Sequence, residues 1–370
     1  MKNQIISLAL IASLAACGDG NPFETEEDTT TTEEEDTTGD TTTDDTGTGI
    51  TRDGIPPGTV SANTDDGIFR SEPTAEDGGE DGDGFAEGLV YNSEDDTFTV
   101  DNIAFDGDRA YDRGVLVSSL SPNSNNLDAN NEAIGRFNVY DSPETAIDPV
   151  SGASISQFTY RAVYGVSTNR LTNTDGTTSD SPTTQFAIVR TGSYVDYGFG
   201  GFIYQRDNGV TLPSSLQAHF EGHSAGLLDS DTRGGLQYTT ADIYVDIDYD
   251  DFNDGDGFLG DGVKGSIFNR RVFNLDGEDV TDEFAEGIGE EAIPNVGFEV
   301  GTDVLDSNGD ILTSVQSFRT DGTLYEEGTF YAIVAGDDPD EVVGVFVLEA
   351  ASFDTRDTGG FILYRDVDEE

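Results

Sequence analysis

The chain contains only three cysteine and histidine residues in total. Their thiolate and imidazole groups are frequent in catalysis and metal binding. The single cysteine is Cys17, so no disulfide can form within the chain. His219 and His223 lie four residues apart in AHFEGHSAG. On a helix this spacing places both imidazoles on one face, as in a metal or haem site, but they also share a face on a strand. Gly222 and Gly226 disfavour a helix, so we expect a strand and structural or surface histidines.

The residues before Cys17 suggest a role for the lone thiol. Residues 5–16 (IISLALIASLAA) form an apolar run behind a short n-region with one lysine, and the run is shorter than the roughly 20 residues of a transmembrane helix. This pattern predicts a secretory signal peptide over residues 1–16. Residues 14–17, Leu-Ala-Ala-Cys, resemble the lipobox of bacterial lipoproteins, which implies cleavage before Cys17 and acyl chains such as palmitate on that residue. The alternative is an ordinary signal peptide with an incidental cysteine.

The residue after Cys17 is Gly18 rather than an aspartate. In the lipoprotein family this resembles a cargo that is released to the outer membrane. We therefore expect the chain to be held at the membrane by a lipid anchor on Cys17. The expected location is the cell outer membrane, with the protein part exposed at the cell surface.

The charge of the chain excludes some partners. Lys and Arg number 17 against 75 Asp and Glu, which gives a formal net charge of −58. Such a surface repels phosphate backbones and anionic lipid headgroups, so we exclude nucleic acid as a partner. Solubility in a salty medium and preference for a basic partner both agree with this composition.

Composition divides the N-terminal part of the chain into two segments. Residues 24–48 contain no aliphatic, aromatic or basic side chain, so residues 17–49 are predicted to form a disordered acidic, Thr-rich tether behind the lipidated cysteine. Residues 50–85 are rich in Gly and Asp, and we expect them to be loosely ordered.

After residue 85 the chain alternates short apolar runs with turn residues, as antiparallel strands do. In residues 241–252, one set of alternate positions is apolar and the other mostly acidic. The apolar set is Ile243, Val245, Ile247 and Tyr249, and the other is Asp242, Tyr244, Asp246, Asp248 and Asp250. A lipid-facing barrel strand would not carry such a row of carboxylates, so the acidic face is predicted to meet water and the apolar face a core.

The sequence also predicts one short helix and several turns. Residues 278–293 are compatible with one short surface helix that Thr281 caps. The acidic clusters at 76–84, 248–257 and 306–310 do not fit the twelve-residue calcium loop, and Asp-Gly and Asn-Gly steps are typical of hairpin turns. We therefore predict turns, with weak calcium stabilisation as the alternative.

A succession of segments between about 209 and 366 resembles the β-barrel domain of transferrin-binding protein B, and a group of transferrin-binding protein-like lipoproteins. Ala218, Phe220 and Gly222 occupy positions comparable to the strand G-x-A-x-Y-x-G that opens the family's barrel. Residues 328–331 and 344–346 approximate the later family signature, with Ala332 in place of its usual glycine. FAIVRTGSYVDYGFGGFIYQR, FNRRVFNLDG and TGGFILYR are typical of the lipoprotein group.

The resemblance implies a mainly β protein with a β-rich handle half over residues 86–207. A soluble-type, eight-stranded antiparallel barrel over residues 208–366 would follow it. It also implies a ligand-binding surface lipoprotein that takes a nutrient, such as an iron carrier or haem, or a host or environmental protein. The family proper has two lobes and this chain has the length of one, so transferrin itself does not carry over.

We predict no enzymatic activity, no cofactor and no catalytic residue. We expect no G-x-S-x-G nucleophile elbow, no G-x-x-x-x-G-K loop and no H-E-x-x-H helix, and two histidines offer few general bases. The alternative function is a structural or adhesive envelope lipoprotein, stabilised by calcium.

Overall fold

The computed structural model describes residues 67–77, 79, 81–86, 88–101, 109–121, 137–147, 150–156, 159–172, 176–192, 197–231, 235–249, 262–299, 304–336 and 338–366. All of these residues belong to one unit of the chain, Asp45–Glu370. The signal peptide, Cys17 and the tether predicted over residues 17–49 lie outside the described residues. Asp250 and most of the acidic cluster at 248–257 also lie outside them.

The first half of the described chain contributes thirteen strands. They are β1 (Ile68–Ser71), β2 (Gly88–Asn92), β3 (Thr97–Asp101), β4 (Tyr111–Arg113), β5 (Ser119–Leu120), β6 (Phe137–Asp141), β7 (Thr145–Ile147), β8 (Ser154–Ser156), β9 (Arg161–Val166), β10 (Arg170–Thr172), β11 (Thr178–Pro182), β12 (Thr184–Arg190) and β13 (Gly200–Arg206). Nine of them form an antiparallel sheet in the order β1-β13-β12-β9-β6-β4-β3-β2, with β5 also paired to β6. We call it the handle sheet. The pairs β7–β8 and β10–β11 form separate two-stranded sheets.

The second half forms a closed barrel of eight strands. They are β14 (Gln217–Ser230), β15 (Leu236–Asp248), β16 (Val263–Phe273), β17 (Val296–Phe298), β18 (Asp310–Phe318), β19 (Leu324–Ala335), β20 (Glu341–Ala350) and β21 (Thr355–Arg365). Each strand pairs antiparallel with the next, and β21 returns to pair with β14. The predicted fold class, a β-rich half followed by an eight-stranded antiparallel barrel, is confirmed.

The alternation along β15 separates the inside of the barrel from the outside. Ile243, Val245 and Ile247 are buried in the barrel core, and Tyr249 just beyond the strand is buried with them. Asp246, by contrast, is exposed. The prediction that the apolar positions face a core is therefore confirmed for the described part of this segment.

Helix α1 (Thr281–Ile288) lies between β16 and β17, where the sequence predicts a short helix. Its residues Ala285 and Ile288 are buried, and it ends at Gly289, which has a left-handed φ of 84°. The predicted capping role of Thr281 is wrong. The N-cap is Val280, whose apolar side chain cannot accept a hydrogen bond, and the Thr281 hydroxyl donates to Asp279 Oδ1 at a distance of 2.5 Å.

The handle sheet packs one face against the outside of the barrel, with β12 and β13 over β19, β20 and β21. The Phe186 ring of β12 lies against Gly360 of β21, and a Cβ atom at that glycine would overlap the ring. The neighbouring Gly359 leaves room for the Phe346 ring in the barrel core in the same way. The sequence TGGF therefore admits one aromatic ring from each side of the barrel wall.

Buried ion pairs link the handle sheet to the barrel. Arg70 of β1 forms a two-bond pair with Asp310 of β18, at 2.9 and 3.1 Å, and both side chains are 1% exposed. A second cluster joins Arg190 of β12 and Arg356 of β21 through Asp83, at 2.9 and 2.8 Å. The Arg190 guanidinium also donates to Glu72. Because buried charges are costly unless they are paired, these contacts fix how the two halves meet.

Asp229 at the end of β14 lies beside this cluster and is fully buried. Its nearest cation is Arg190, with Nε 3.9 Å from Oδ2, and among the described residues neither carboxylate oxygen has a hydrogen-bond partner. Burial raises the pKa of Asp229 to about 8, and the two nearby arginines only partly oppose this rise.

Strand β1 lies within the segment 50–85, which composition predicts to be loosely ordered. Ile68 is buried, and β1 pairs with β13 from Ile68↔Arg206 to Ser71↔Ile203. The short sequence IFRS thus supplies one apolar anchor and Arg70, the partner of a barrel carboxylate. Gly/Asp composition averaged over 36 positions cannot reveal a four-residue strand.

Candidate functional site

The two histidines lie on β14, as the glycines around them predict, and both point away from the barrel core. His219 is in register with Asp246 of β15, and His223 with Asp242. The Nδ1 atoms lie 2.6 and 2.7 Å from the respective Oδ1 atoms. An ionised carboxylate can only accept, so we assign a proton to each Nδ1. In the neutral imidazole each Nε2 is then a hydrogen-bond acceptor.

Aromatic rings lie beside these pairs. Tyr244 of β15 stacks with His219 at a centroid distance of 5.8 Å, and Phe268 of β16 lies 6.1 Å from Tyr244. The surrounding surface forms an open depression of about 460 Å³. We call this surface the histidine face. Its residues are His219, Glu221, His223, Asp242, Tyr244, Phe268, Tyr364, Arg365 and Asp366.

Asp242 is held in place from two sides. His223 bonds to its Oδ1, and the Asn269 amide donates to its Oδ2 over 2.7 Å. Asn269 has a φ of 50°, at a register shift between β15 and β16. This β-bulge turns the amide of Asn269 outward and the next side chain, Arg270, into the barrel.

The histidines do not share a metal site. Four residues of a strand span about 13 Å, which is too far for two imidazoles to bind one ion. Within the described ranges, no group of three or more His, Cys, Asp or Glu side chains is arranged to hold a metal.

The acidic sequence at 306–310 is a turn, as predicted. Oδ1 of Asp306 accepts from the backbone N–H groups of Asn308 and Asp310, each over 2.9 Å. Gly309 has a left-handed φ of 84°. The Asp310 carboxylate is bound by Arg70, so the acids of this turn are used within the protein.

The expectation that the chain has no G-x-S-x-G motif is wrong for the sequence pattern itself. Residues 222–226 read Gly-His-Ser-Ala-Gly, which has the G-x-S-x-G spacing of a hydrolase nucleophile elbow. An elbow needs a sharp turn between a strand and a helix, but these residues lie in the middle of β14. Ser224 is buried at 1% exposure, while His223 faces outward. The spacing therefore does not build a serine nucleophile here.

The barrel interior near Ser224 is filled by a polar network. Arg270 donates to both Glu326 oxygens over 2.5 and 3.1 Å and to Asp357 over 3.2 Å. Thr239 donates to the other oxygen of Asp357 over 2.8 Å. The adjoining cavity measures about 10 Å³, which suits about one water molecule. This part of the barrel is thus a packed scaffold.

Three solved structures of transferrin-binding protein B are similar to parts of this chain. No family model matches the chain, and no curated protein matches it. The chain is similar to the solved structure of a double variant of transferrin-binding protein B from Haemophilus parasuis, at 8% identity and a TM-score of 0.34. That match covers 84% of this chain and 48% of the other. The similarity concerns the fold alone.

Two further structures are similar over smaller shares of this chain. A single-residue variant from Haemophilus parasuis matches at 10% identity and a TM-score of 0.32, over 65% of this chain and 47% of the other. A variant of the same protein from Actinobacillus pleuropneumoniae matches at 12% identity and a TM-score of 0.27, over 51% and 78%. The chain spans about half the length of the Haemophilus parasuis proteins.

Proposed function

We propose that this chain is a lipid-anchored lipoprotein of the cell outer membrane, exposed at the surface, which binds a ligand and catalyses no reaction. The observation that carries the binding role is the histidine face, a depression on the outside of a barrel whose interior is packed with side chains. A packed barrel offers its outer surface, loops and rim to a partner.

The anchoring part of this proposal is supported by sequence. The lipobox-like residues 14–17 and the acidic tether would hold the folded part away from the bilayer while the lipid on Cys17 retains it. Among the described residues, no helix is long and apolar enough to cross a membrane.

The ligand class is supported by the sequence resemblance to transferrin-binding protein B. It favours a nutrient carrier protein, another protein or haem over a metabolite that would be consumed. The absence of a built serine nucleophile at Ser224 agrees with a non-enzymatic role.

Location is tested with the full-length chain and a Cys17→Ser variant in a Gram-negative host. The original chain should incorporate labelled palmitate, fractionate with the outer membrane and be cut when protease is added to intact cells. The variant should lose the label and be released from the membrane. A chain that carries the label but is protected from protease would contradict surface exposure.

Ligand binding is tested on the same cells with haem and with iron-carrier proteins. Capture that depends on the presence of the chain supports the proposal. If neither is captured and calcium removal lowers the melting temperature markedly, the structural or adhesive alternative is favoured.

A further inference from the structure

The carboxylates and imidazoles of the histidine face outnumber its hydrogen-bond donors, and the Tyr244 and Tyr364 hydroxyls can accept as well as donate. Neutral imidazole Nε2 atoms accept, as do the carboxylates of Glu221, Asp242 and Asp366. The cation on the lining, Arg365, is already held by Asp338 over 2.9 Å and by the Pro339 carbonyl over 3.3 Å. A surface of this kind is complementary to a group that only donates hydrogen bonds.

The face also carries aromatic planes. Tyr244 and Phe268 are half-buried, so each ring keeps an accessible part beside the acceptors. Aromatic faces attract cations, and a guanidinium can both stack on a ring and donate to a carboxylate in its own plane. A lysine ammonium is compact and strongly hydrated, and it lacks a plane that can stack.

The acceptors are oriented before any partner arrives. Asp242 is fixed by His223 and Asn269, and His219 is fixed by Asp246 and by stacking on Tyr244. Such preorganisation lowers the entropy lost on binding. The folded chain therefore presents a formed site at this position.

We propose that the histidine face binds arginine side chains presented by a basic partner protein. This inference rests on the proposed binding function and adds the chemistry of the partner and the place where it docks. Charge complementarity supports it, because a chain of net charge −58 attracts a basic protein and repels anionic membranes and nucleic acids. Arginine would then supply the selectivity that net charge alone lacks.

A tryptophan reporter tests the site directly, because the chain contains no tryptophan. Tyr244→Trp keeps an aromatic plane on the face, whereas Phe318→Trp places one at an exposed position elsewhere, lined by other acids. The probe is a peptide of three Gly-Arg-Gly units, compared with the same peptide containing lysine, at physiological salt. The arginine peptide should change the tryptophan emission of the first variant at lower concentration than the lysine peptide, and should leave the emission of the second variant unchanged.

Glu221→Gln in the Tyr244→Trp background should weaken arginine-peptide binding about fivefold. Glu291→Gln, on the acidic surface near Phe318, is the matched control and should change it less than about twofold. Both glutamates are exposed, so neither change threatens folding. Unchanged melting temperatures verify this.

Three outcomes would overturn the inference. They are equal binding of the lysine peptide, equal emission changes in the two reporter variants, and no arginine-peptide response at this salt. Failure of this inference is distinguished from failure of the proposed function by capture on intact cells, which would persist in Glu221→Gln/Tyr244→Ala if only the inference is wrong. In that case the chain binds its ligand through another surface.

Discussion

The outward side chains of β14 fall into two halves that meet opposite surroundings. His219, Glu221 and His223 lie on the open histidine face, whereas Ala225 and Leu227 are fully buried under the handle sheet. The same strand, with the same alternation, thus carries polar side chains on one half and apolar ones on the other. Whether an outward position of β14 carries a polar or an apolar side chain therefore follows from its surroundings, which are either water or the handle sheet.

The next outward position, Asp229, shows what happens to a carboxylate on the covered half. Asp242 and Asp246 on the open half pair with histidines and keep contact with water. Asp229 has no solvent contact, and Arg190 is 3.9 Å away. Partly exposed pairs add little stability, while a buried charge without a close partner costs several kcal/mol unless it is neutralised. The covered half is therefore where substitutions should have large effects.

The largest effect is expected at Phe186, the handle ring that fills the space over Gly165 and Gly360. Phe186→Ala should lower the free energy of unfolding by about 3–5 kcal/mol, because it leaves a cavity between handle and barrel. Chemical denaturation of the full chain measures this loss. Phe318→Ala, at an exposed position, is the control and should change stability by less than about 0.5 kcal/mol.

Asp229→Asn should stabilise the protein at neutral to alkaline pH. The folded-state pKa of Asp229 is raised from 3.8 to about 8. The folded chain therefore holds a proton that the unfolded chain releases, so this contribution to stability is complete below about pH 4 and is lost as pH rises through about 8. The loss amounts to about 1.4 kcal/mol per pH unit within that range. An asparagine has no proton to lose. As the pH rises from about 6 to about 8, the free energy of unfolding of the variant should therefore increase by roughly 2–3 kcal/mol relative to that of the original chain.

Thermal unfolding at a series of pH values measures this difference. Asp276→Asn, in an exposed turn, is the matched control, since it also replaces one carboxylate by an amide but at the surface. Equal slopes for the original chain and Asp229→Asn would show that Asp229 is ionised in the folded state, with Arg190 or Arg356 as a closer partner.

The difference between open and covered strand positions also explains which strand orientations could be predicted from the sequence. Residues 241–249 were interpreted correctly because their outward side chains meet water, so the pattern alternates visibly. In residues 224–228 both faces are buried, by the barrel core and by the handle sheet, and Ser-Ala-Gly-Leu-Leu shows no alternation. Pattern alone could not place Ser224 inside the barrel or Ala225 outside it.

Contacts between residues that are far apart in the chain could not be predicted from the sequence, for a different reason. Arg70 and Asp310 are 240 residues apart, and nothing local in IFRS or DSNGD identifies them as a pair. The histidine face combines β14, β15, β16 and β21, so the spacing of His219 and His223 could not reveal Phe268 or Tyr364 as neighbours. The inward turn of Arg270 depends on a bulge that the sequence does not mark.

Gly360→Val is expected to have an intermediate effect. The added side chain would overlap the Phe186 ring, and overpacking of this kind costs about 1–3 kcal/mol. Phe186→Leu should recover part of the loss in the double variant, because the smaller side chain gives way. Gly297→Val is the matched control in β17, where an added Cβ meets open space. Strictly additive losses in the double variant would contradict direct packing of Phe186 on Gly360.

The smallest effects are expected on the open half of β14. The His219 and Asp246 side chains are 42% and 51% exposed, and those of His223 and Asp242 are 21% and 27% exposed. Each of His219→Asn and His223→Asn should therefore cost less than about 1 kcal/mol, because a hydrogen bond between partly exposed side chains adds little stability. The two positions are about 13 Å apart along the strand, so the double variant should be additive within about 0.5 kcal/mol. Chemical denaturation measures all three variants. A loss above about 2 kcal/mol would mean that the histidines hold the barrel together as the buried pairs do. Small losses would instead leave these side chains available to a partner, because the fold does not depend on them.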